Sequence, residues 1–395
     1  MKKAMAILLC TLFVLMGIPV ITFALEEEEP APTGEDTPIP IAAPSAILLD
    51  GETGQVLLEK NAKEKLPAAS AIKVMTLLVL YDGLEQGRIQ MEDRVEISPK
   101  AAGMGGTRAF LDAGQSYTVE ALVKAIGVSS ANDAAVALAE ATYGSEDAFV
   151  TAMNGRAQAL GAVDTVFTTC TGLDDENSYT TAYDLGIIGA ALSKHRLSTQ
   201  HTSIYMDQLS HPKDGRTTEL TNPNRLVRFY ESCDGYATGS SGVAKYCGVF
   251  TAKKGETRLV AVVLKAKDST TRFDDARGML EYGFANFRQR MLAKKGEILR
   301  KGVEVPQGVP RTVNLVAKED VRVVVRRGEE NNIRKEVALL EDIQLPVESG
   351  QPLGTLNIYL GDILIAQVDA VAEHQVKKAT LWEAVQTILR YWLMG

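Results

Sequence analysis

The chain is poor in cysteine, histidine and tryptophan, with 4, 4 and 2 of these in 395 residues. Cys10 falls inside an N-terminal apolar run, which leaves Cys170, Cys233 and Cys247. So sparse and odd a set excludes a scaffold built on disulfides. These thiols are expected as small buried hydrophobes, with a Cys233–Cys247 bridge as the alternative. The four histidines (His195, His201, His211 and His374) lack the spacing of metal ligands, so neither a metal nor another cofactor is expected. Positive charge is also short. Lys and Arg number 42 against 50 Asp and Glu, the net charge is −8, and there is no basic tract, which excludes nucleic acid as a partner.

The two ends speak of the membrane. Lys2 and Lys3 precede an apolar stretch at residues 4–21 and then Thr22-Phe23-Ala24, the order of a secretory signal over residues 1–24. The stretch is long, so an uncleaved anchor is the alternative. Cys10 lies within the stretch and not at its end, against a lipoprotein. Residues 25–43 are acidic, then rich in Pro and Ala, and read as a linker without a core. At the other end, residues 376–395 are expected to form an amphipathic helix. Leu381, Trp382, Val385, Ile388, Leu389 and Trp392 fall on one side of it, and Glu383, Gln386, Thr387 and Arg390 on the other. With Lys377 and Lys378 leading in, it is too short and polar to span a bilayer and suits the membrane surface. The expected location is the outer face of the cytoplasmic membrane.

Between these ends stand three clusters in fixed order: Ser70-Ala71-Ile72-Lys73, Ser130-Ala131-Asn132 and Ala237-Thr238-Gly239. Residues three apart share a helix face, so Ser70 and Lys73 meet if a helix starts near Ala69. A serine nucleophile needs an adjacent base, and lysine serves only when its pKa is depressed. Taken alone, a Ser-x-x-Lys pair is expected about once by chance in a chain of this length. The apolar company of Val74, Leu77, Leu78, Val79 and Leu80 argues for a buried central helix, however, and against a solvated lysine. Ser130 alone reads as a loop residue capping a following helix. Thr238-Gly239 is expected on a strand that enters a hairpin, followed by strands at Tyr246–Phe250 and Leu259–Leu264.

In this order and spacing the chain resembles the low-molecular-mass penicillin-binding proteins, specifically the serine-type D-alanyl-D-alanine carboxypeptidases. The resemblance extends through Asp50-Gly51-Glu52-Thr53-Gly54, Leu66-Pro67-Ala68-Ala69, Thr171-Gly172-Leu173, Tyr179-Thr180-Thr181-Ala182, Asn222-Pro223-Asn224-Arg225-Leu226 and Asp234-Gly235-Tyr236. It implies that Ser70 attacks the carbonyl between two terminal D-alanines of a peptidoglycan pentapeptide and forms an acyl-enzyme that water hydrolyses. Lys73 would take the serine proton, and Ser130 would pass one to the departing amine. Asn132 would hold the substrate backbone and Thr238 its carboxylate. Backbone N–H groups of Ser70 and Ser240, beside Gly239, would form the oxyanion hole. β-Lactams would react covalently at the same serine.

One residue departs from the family. Its third motif is Lys-Thr-Gly, and Ala237 stands where the lysine should be. Without that cation Lys73 is expected to hold its proton more tightly and the substrate carboxylate to bind less well. Loss of one preorganised electrostatic donor predicts a rate lower by ~10²–10³-fold. Lys245 is the nearest cation in sequence, although as a hairpin residue it is expected to be exposed. A catalytically silent relative that binds or regulates cell wall is the alternative function. A β-lactamase, which shares the motifs, is disfavoured by the long β-rich extension.

The fold class expected is α+β. The resemblance implies a transpeptidase domain like those of penicillin-binding proteins and β-lactamases over residues 44–286. Over residues 287–375, short apolar runs such as Val313-Asn314-Leu315-Val316 and Leu356-Asn357-Ile358-Tyr359-Leu360, parted by Gly, Pro and charged turns, predict a small all-β domain.

Overall fold

The computed structural model describes residues 37–380 together with 382, 383 and 385. The expected signal at 1–24, the linker up to residue 36 and nearly all of the amphipathic segment lie outside the described residues.

The first domain is built on a five-stranded antiparallel sheet. Its strands are β1 (Ser45–Asp50), β2 (Val56–Lys60), β3 (Cys233–Ser241), β4 (Lys245–Lys254) and β5 (Thr257–Ala266). Their order across the sheet is β2-β1-β5-β4-β3. The first and last of these strands in chain order are therefore neighbours inside the sheet, where β1 pairs with β5 from Ser45↔Leu264 to Asp50↔Leu259. Every residue of β1 is buried because the sheet is covered on both faces. Ile47, Leu49, Val260 and Val262 point into one core, while Ala46, Leu48, Ala261 and Val263 point into the other. This period of two is hidden in sequence, because a strand apolar on both faces reads as one continuous run. Truncating any one of these large side chains to alanine is expected to cost about 2–5 kcal/mol.

The larger core holds the helices α1 (Lys73–Glu85), α2 (Val119–Ser129), α3 (Asn132–Tyr143), α4 (Glu146–Ala159) and α5 (Ala182–Ser193). Helix α1 is buried nearly all round, from Lys73 through Tyr81, as its apolar sequence requires. Helix α6 (Ser269–Asn286) closes the opposite face through Phe273, Ala276, Met279, Leu280 and Phe284. Asp268 caps it, accepting a hydrogen bond from the Thr271 N–H at 2.7 Å.

Helix α6 runs straight into β6 (Phe287–Ala293), where the second domain begins. That domain consists of β6, β7 (Ile298–Glu304), β8 (Thr312–Ala317), β9 (Val321–Arg326), β10 (Ile333–Leu339), β11 (Pro352–Leu360) and β12 (Ile363–Ala372). Five of them form a sheet in the order β7-β8-β12-β11-β10, and β6 pairs with β9. Lys377–Lys378, expected at the threshold of the terminal helix, instead pair with Gly308–Val309 inside this domain. Val376 is fully buried next to them, and its side chain anchors the pairing. Among the described residues no helix is long and apolar enough to cross a membrane. Cys170, Cys233 and Cys247 are all free and buried, so the alternative Cys233–Cys247 bridge is absent.

Candidate active site

The site lies where the start of α1, the junction of α2 and α3, and strand β3 converge. Ala69–Ile72 form a 3-10 turn, and the α-helix starts only at Lys73. Alanine at 68 offers no side-chain cap, and Ala69 sits at φ +47. The tighter turn still sets Ser70 beside Lys73, with Oγ and Nζ 3.0 Å apart. Two other oxygens accept from the same Nζ: Asn132 Oδ1 at 2.7 Å and the Thr171 carbonyl at 2.8 Å. Lys73 is 1 % exposed, and burial pulls its ammonium down from an ordinary 10.5 to about 7. With no cation at position 237, burial is the cause that brings Lys73 into the working range of a base.

The surroundings of Lys73 are fixed from several sides. Thr76 Oγ1, one turn along α1, donates to the Cys170 carbonyl at 2.7 Å, which ties the 170–173 segment to the helix. Gly172 (φ +74) allows that segment to lie flat, since a Cβ there would come within 2.2 Å of the Ala69 carbonyl. Asn132 Nδ2 donates to Gly105 O at 2.8 Å, and the Asn132 N–H to Thr107 O at 2.8 Å. The next residue, Asp133, accepts from the N–H groups of Ala109 and Leu111 at 2.9 and 3.1 Å, so α3 carries the whole 105–111 loop.

Ser130 does not cap the helix that follows. It terminates the one before, as the left-handed residue after α2 (φ 59, ψ 36), while Ala131 precedes α3. For a residue other than glycine this conformation costs roughly 1–2 kcal/mol. Ser130 is nine-tenths buried, and its Oγ finds no partner in the protein.

Strand β3 forms the opposite wall. Ala237, Thr238, Gly239 and Ser240 face Val249, Gly248, Cys247 and Tyr246 of β4. Gly239 is required by proximity, since a Cβ would lie 2.5 Å from the Ser70 backbone nitrogen. The strand that carries Ser240 is thus pressed against the Ser70 N–H. Thr238 is buried and Ser240 exposed. Ala237, Thr238, Ser130 and Lys73 line one small cavity of about 10 Å³. Lys245 lies at the exposed end of the hairpin, opposite Ser241.

Two participants escaped the reading of the sequence. The Thr171 carbonyl is a backbone acceptor and leaves no trace in residue type. Arg272, on the first turn of α6, is 5 % exposed and donates through Nη1 to the Gly239 and Cys247 carbonyls, both at 3.1 Å. Burial pulls its guanidinium down to about 10. Nothing in the local sequence distinguishes it from a surface arginine.

A serine hydroxyl against a buried lysine, between a helical cluster and an antiparallel sheet, defines an active-site serine acyl transferase. Comparison with known proteins narrows the class. The family described as D-alanyl-D-alanine carboxypeptidase matches residues 31–268, and the one described as penicillin-binding protein 5, C-terminal domain, matches residues 287–378. The D-alanyl-D-alanine carboxypeptidase DacF of Bacillus subtilis is 37% identical over 366 residues, covering 92% of this chain and 94% of that protein. DacC of Escherichia coli is 31% identical over 384 residues, 94% of this chain and 92% of its own. Penicillin binding protein 5 from Haemophilus influenzae superposes with a TM-score of 0.77 at 30% identity, covering 87% of this chain and 99% of that one. The chain belongs to the D-alanyl-D-alanine carboxypeptidase family and is a serine-type enzyme of that kind.

Proposed function

We propose that the chain removes the terminal D-alanine from peptidoglycan pentapeptides, with Ser70 as nucleophile and Lys73 as its base. The observation that carries this reading is the 3.0 Å contact between Ser70 Oγ and a lysine that burial brings to about 7. Neutral Lys73 gives its two hydrogens to Asn132 Oδ1 and Thr171 O and aims its lone pair at the Ser70 hydroxyl. Ser70 then adds to the carbonyl carbon, and Lys73 takes its proton. Ser130 protonates the departing amine. Asn132, Thr238, Gly239 and Ser240 position the peptide, with the N–H groups of Ser70 and Ser240 on the oxyanion. Water hydrolyses the ester. β-Lactams acylate the same serine and block it. Turnover is slow for the family because Ala237 supplies no cation for the substrate carboxylate.

The protein works outside the cytoplasmic membrane, delivered by residues 1–24 and held at the surface by the segment after Lys378. Support for this comes from the charge and apolar order of the two ends. The test of function is release of D-alanine from a soluble pentapeptide by the purified protein and by Ser70→Ala. Release by the parent alone is expected. A folded parent that binds the pentapeptide yet releases nothing would favour a wall-binding role.

A further inference from the structure

Among the side chains of Ser70, Lys73, Ser130 and Asn132, only Ser130 lacks a hydrogen-bond partner within the protein. Yet Ser130 must be resupplied with a proton each time it gives one away. Lys73 has no hydrogen to spare for this, since its Nζ is committed to Ser70, Asn132 and Thr171. An ammonium has three donors and no more. Between the two residues lies the cavity beside Ala237, walled also by Asn222, Tyr236 and Thr238. Its volume of about 10 Å³ is close to what one water molecule needs by that measure, and its walls include the unpartnered Ser130 hydroxyl and the polar Thr238.

We propose that one water held in the Ala237 cavity is the proton carrier that serves Ser130, in the place where the family's third motif has its lysine. This rests on the carboxypeptidase reading and adds a chain-specific step to it. After Ser70 has added to the carbonyl carbon, its former proton is on Lys73. When the C–N bond breaks, the electron pair goes to nitrogen, and the Ser130 hydroxyl protonates it. The cavity water gives a proton to Ser130 Oγ and receives one from the Lys73 ammonium. That hydrogen becomes free because Ser70 Oγ, now an ester oxygen, is a poor acceptor. The net change is one proton moved from Lys73 to D-alanine, with Ser130 and the water restored. The water carries a proton but no charge of its own, so the relay survives while carboxylate attraction does not.

The test uses two substrates with one acyl group: a peptide ending in D-alanyl-D-alanine, and its thioester analogue with a thioglycolate leaving group. A thiolate departs without protonation, and an amine does not. Ala237→Val fills the cavity, and the amide-to-thioester ratio of kcat/KM is expected to fall by ~10²-fold, the low end of a general-acid contribution. Ala237→Ser carries its own hydroxyl into the cavity and is expected to keep the ratio near that of the parent. Because the ratio is internal to one preparation, partial misfolding of a variant does not move it. An unchanged ratio in Ala237→Val, or equal losses on both substrates, would overturn the relay. No turnover of either substrate by the parent would overturn the carboxypeptidase reading, and the relay with it.

Discussion

The two walls of the active site differ in how completely they are wired. On the α1 side the polar side chains of the site have protein partners: Ser70 with Lys73, Lys73 with Asn132 and Thr171, Asn132 with Gly105, Thr76 with Cys170. On the side that faces β3, Ser130 Oγ at the junction of α2 and α3 has no protein partner and borders a cavity to which position 237 brings only a methyl group. The difference separates two tasks that the family's motifs perform together. In the proposed mechanism activation of the nucleophile rests on the buried lysine, whose pKa burial lowers. In that mechanism carboxylate capture and delivery of the second proton fall to the opposite wall, where the substitution lies. The expected consequence of losing the third-motif lysine is therefore a slower enzyme whose serine is still armed.

Changes on the wired wall should have the largest effects. Lys73→Met keeps length and removes the base, so acylation is expected to fall by up to ~10⁴-fold, read as the rate of covalent labelling by a penicillin. A smaller loss would mean that Ser70 is activated from elsewhere. On the other wall the expected effect is a gain. Ala237→Lys should raise kcat/KM for the D-alanyl-D-alanine peptide by ~10²–10³-fold. No gain would mean that the cavity cannot admit the longer side chain or that carboxylate capture is already supplied. The smallest effect is structural. Thr76→Val removes the buried hydroxyl donated to Cys170 O and should cost about 1 kcal/mol, measured by denaturant unfolding. Its kcat should fall by far less than that of Lys73→Met. Equal losses would make the 170–173 segment as important as the base.

How much of this could be read from the chain depends on whether the signal resides in side-chain type or in backbone. The Ser70–Lys73 spacing, the all-apolar α1 and the run Leu259 to Leu264 declare themselves, because burial on all sides demands apolar residues. The left-handed Ser130 does not, since serine gives no hint of a positive φ. The Thr171 carbonyl is silent for the same reason. Strand β6 escapes notice because α6 passes into it at Phe287 with no Gly or Pro between them. Strand β12 leaves a usable signal in the Gly361-Asp362 turn before it, which pairs Leu360 with Ile363. Arg272 is the hardest case, for its partners are carbonyls of two strands more than twenty residues away in sequence.

The central claim is that Ser70 remains an activated nucleophile although the third motif lacks its lysine. The most direct test is the rate of labelling by a fluorescent penicillin across pH, with intact mass and Ser70→Ala as control. The expected result is one adduct on the parent and none on the mutant. Lys73 acts only when unprotonated, so the rate should be level above about pH 7 and fall roughly tenfold per unit below it. Absence of an adduct on the folded parent at any pH, or labelling that persists in Ser70→Ala, would contradict the account.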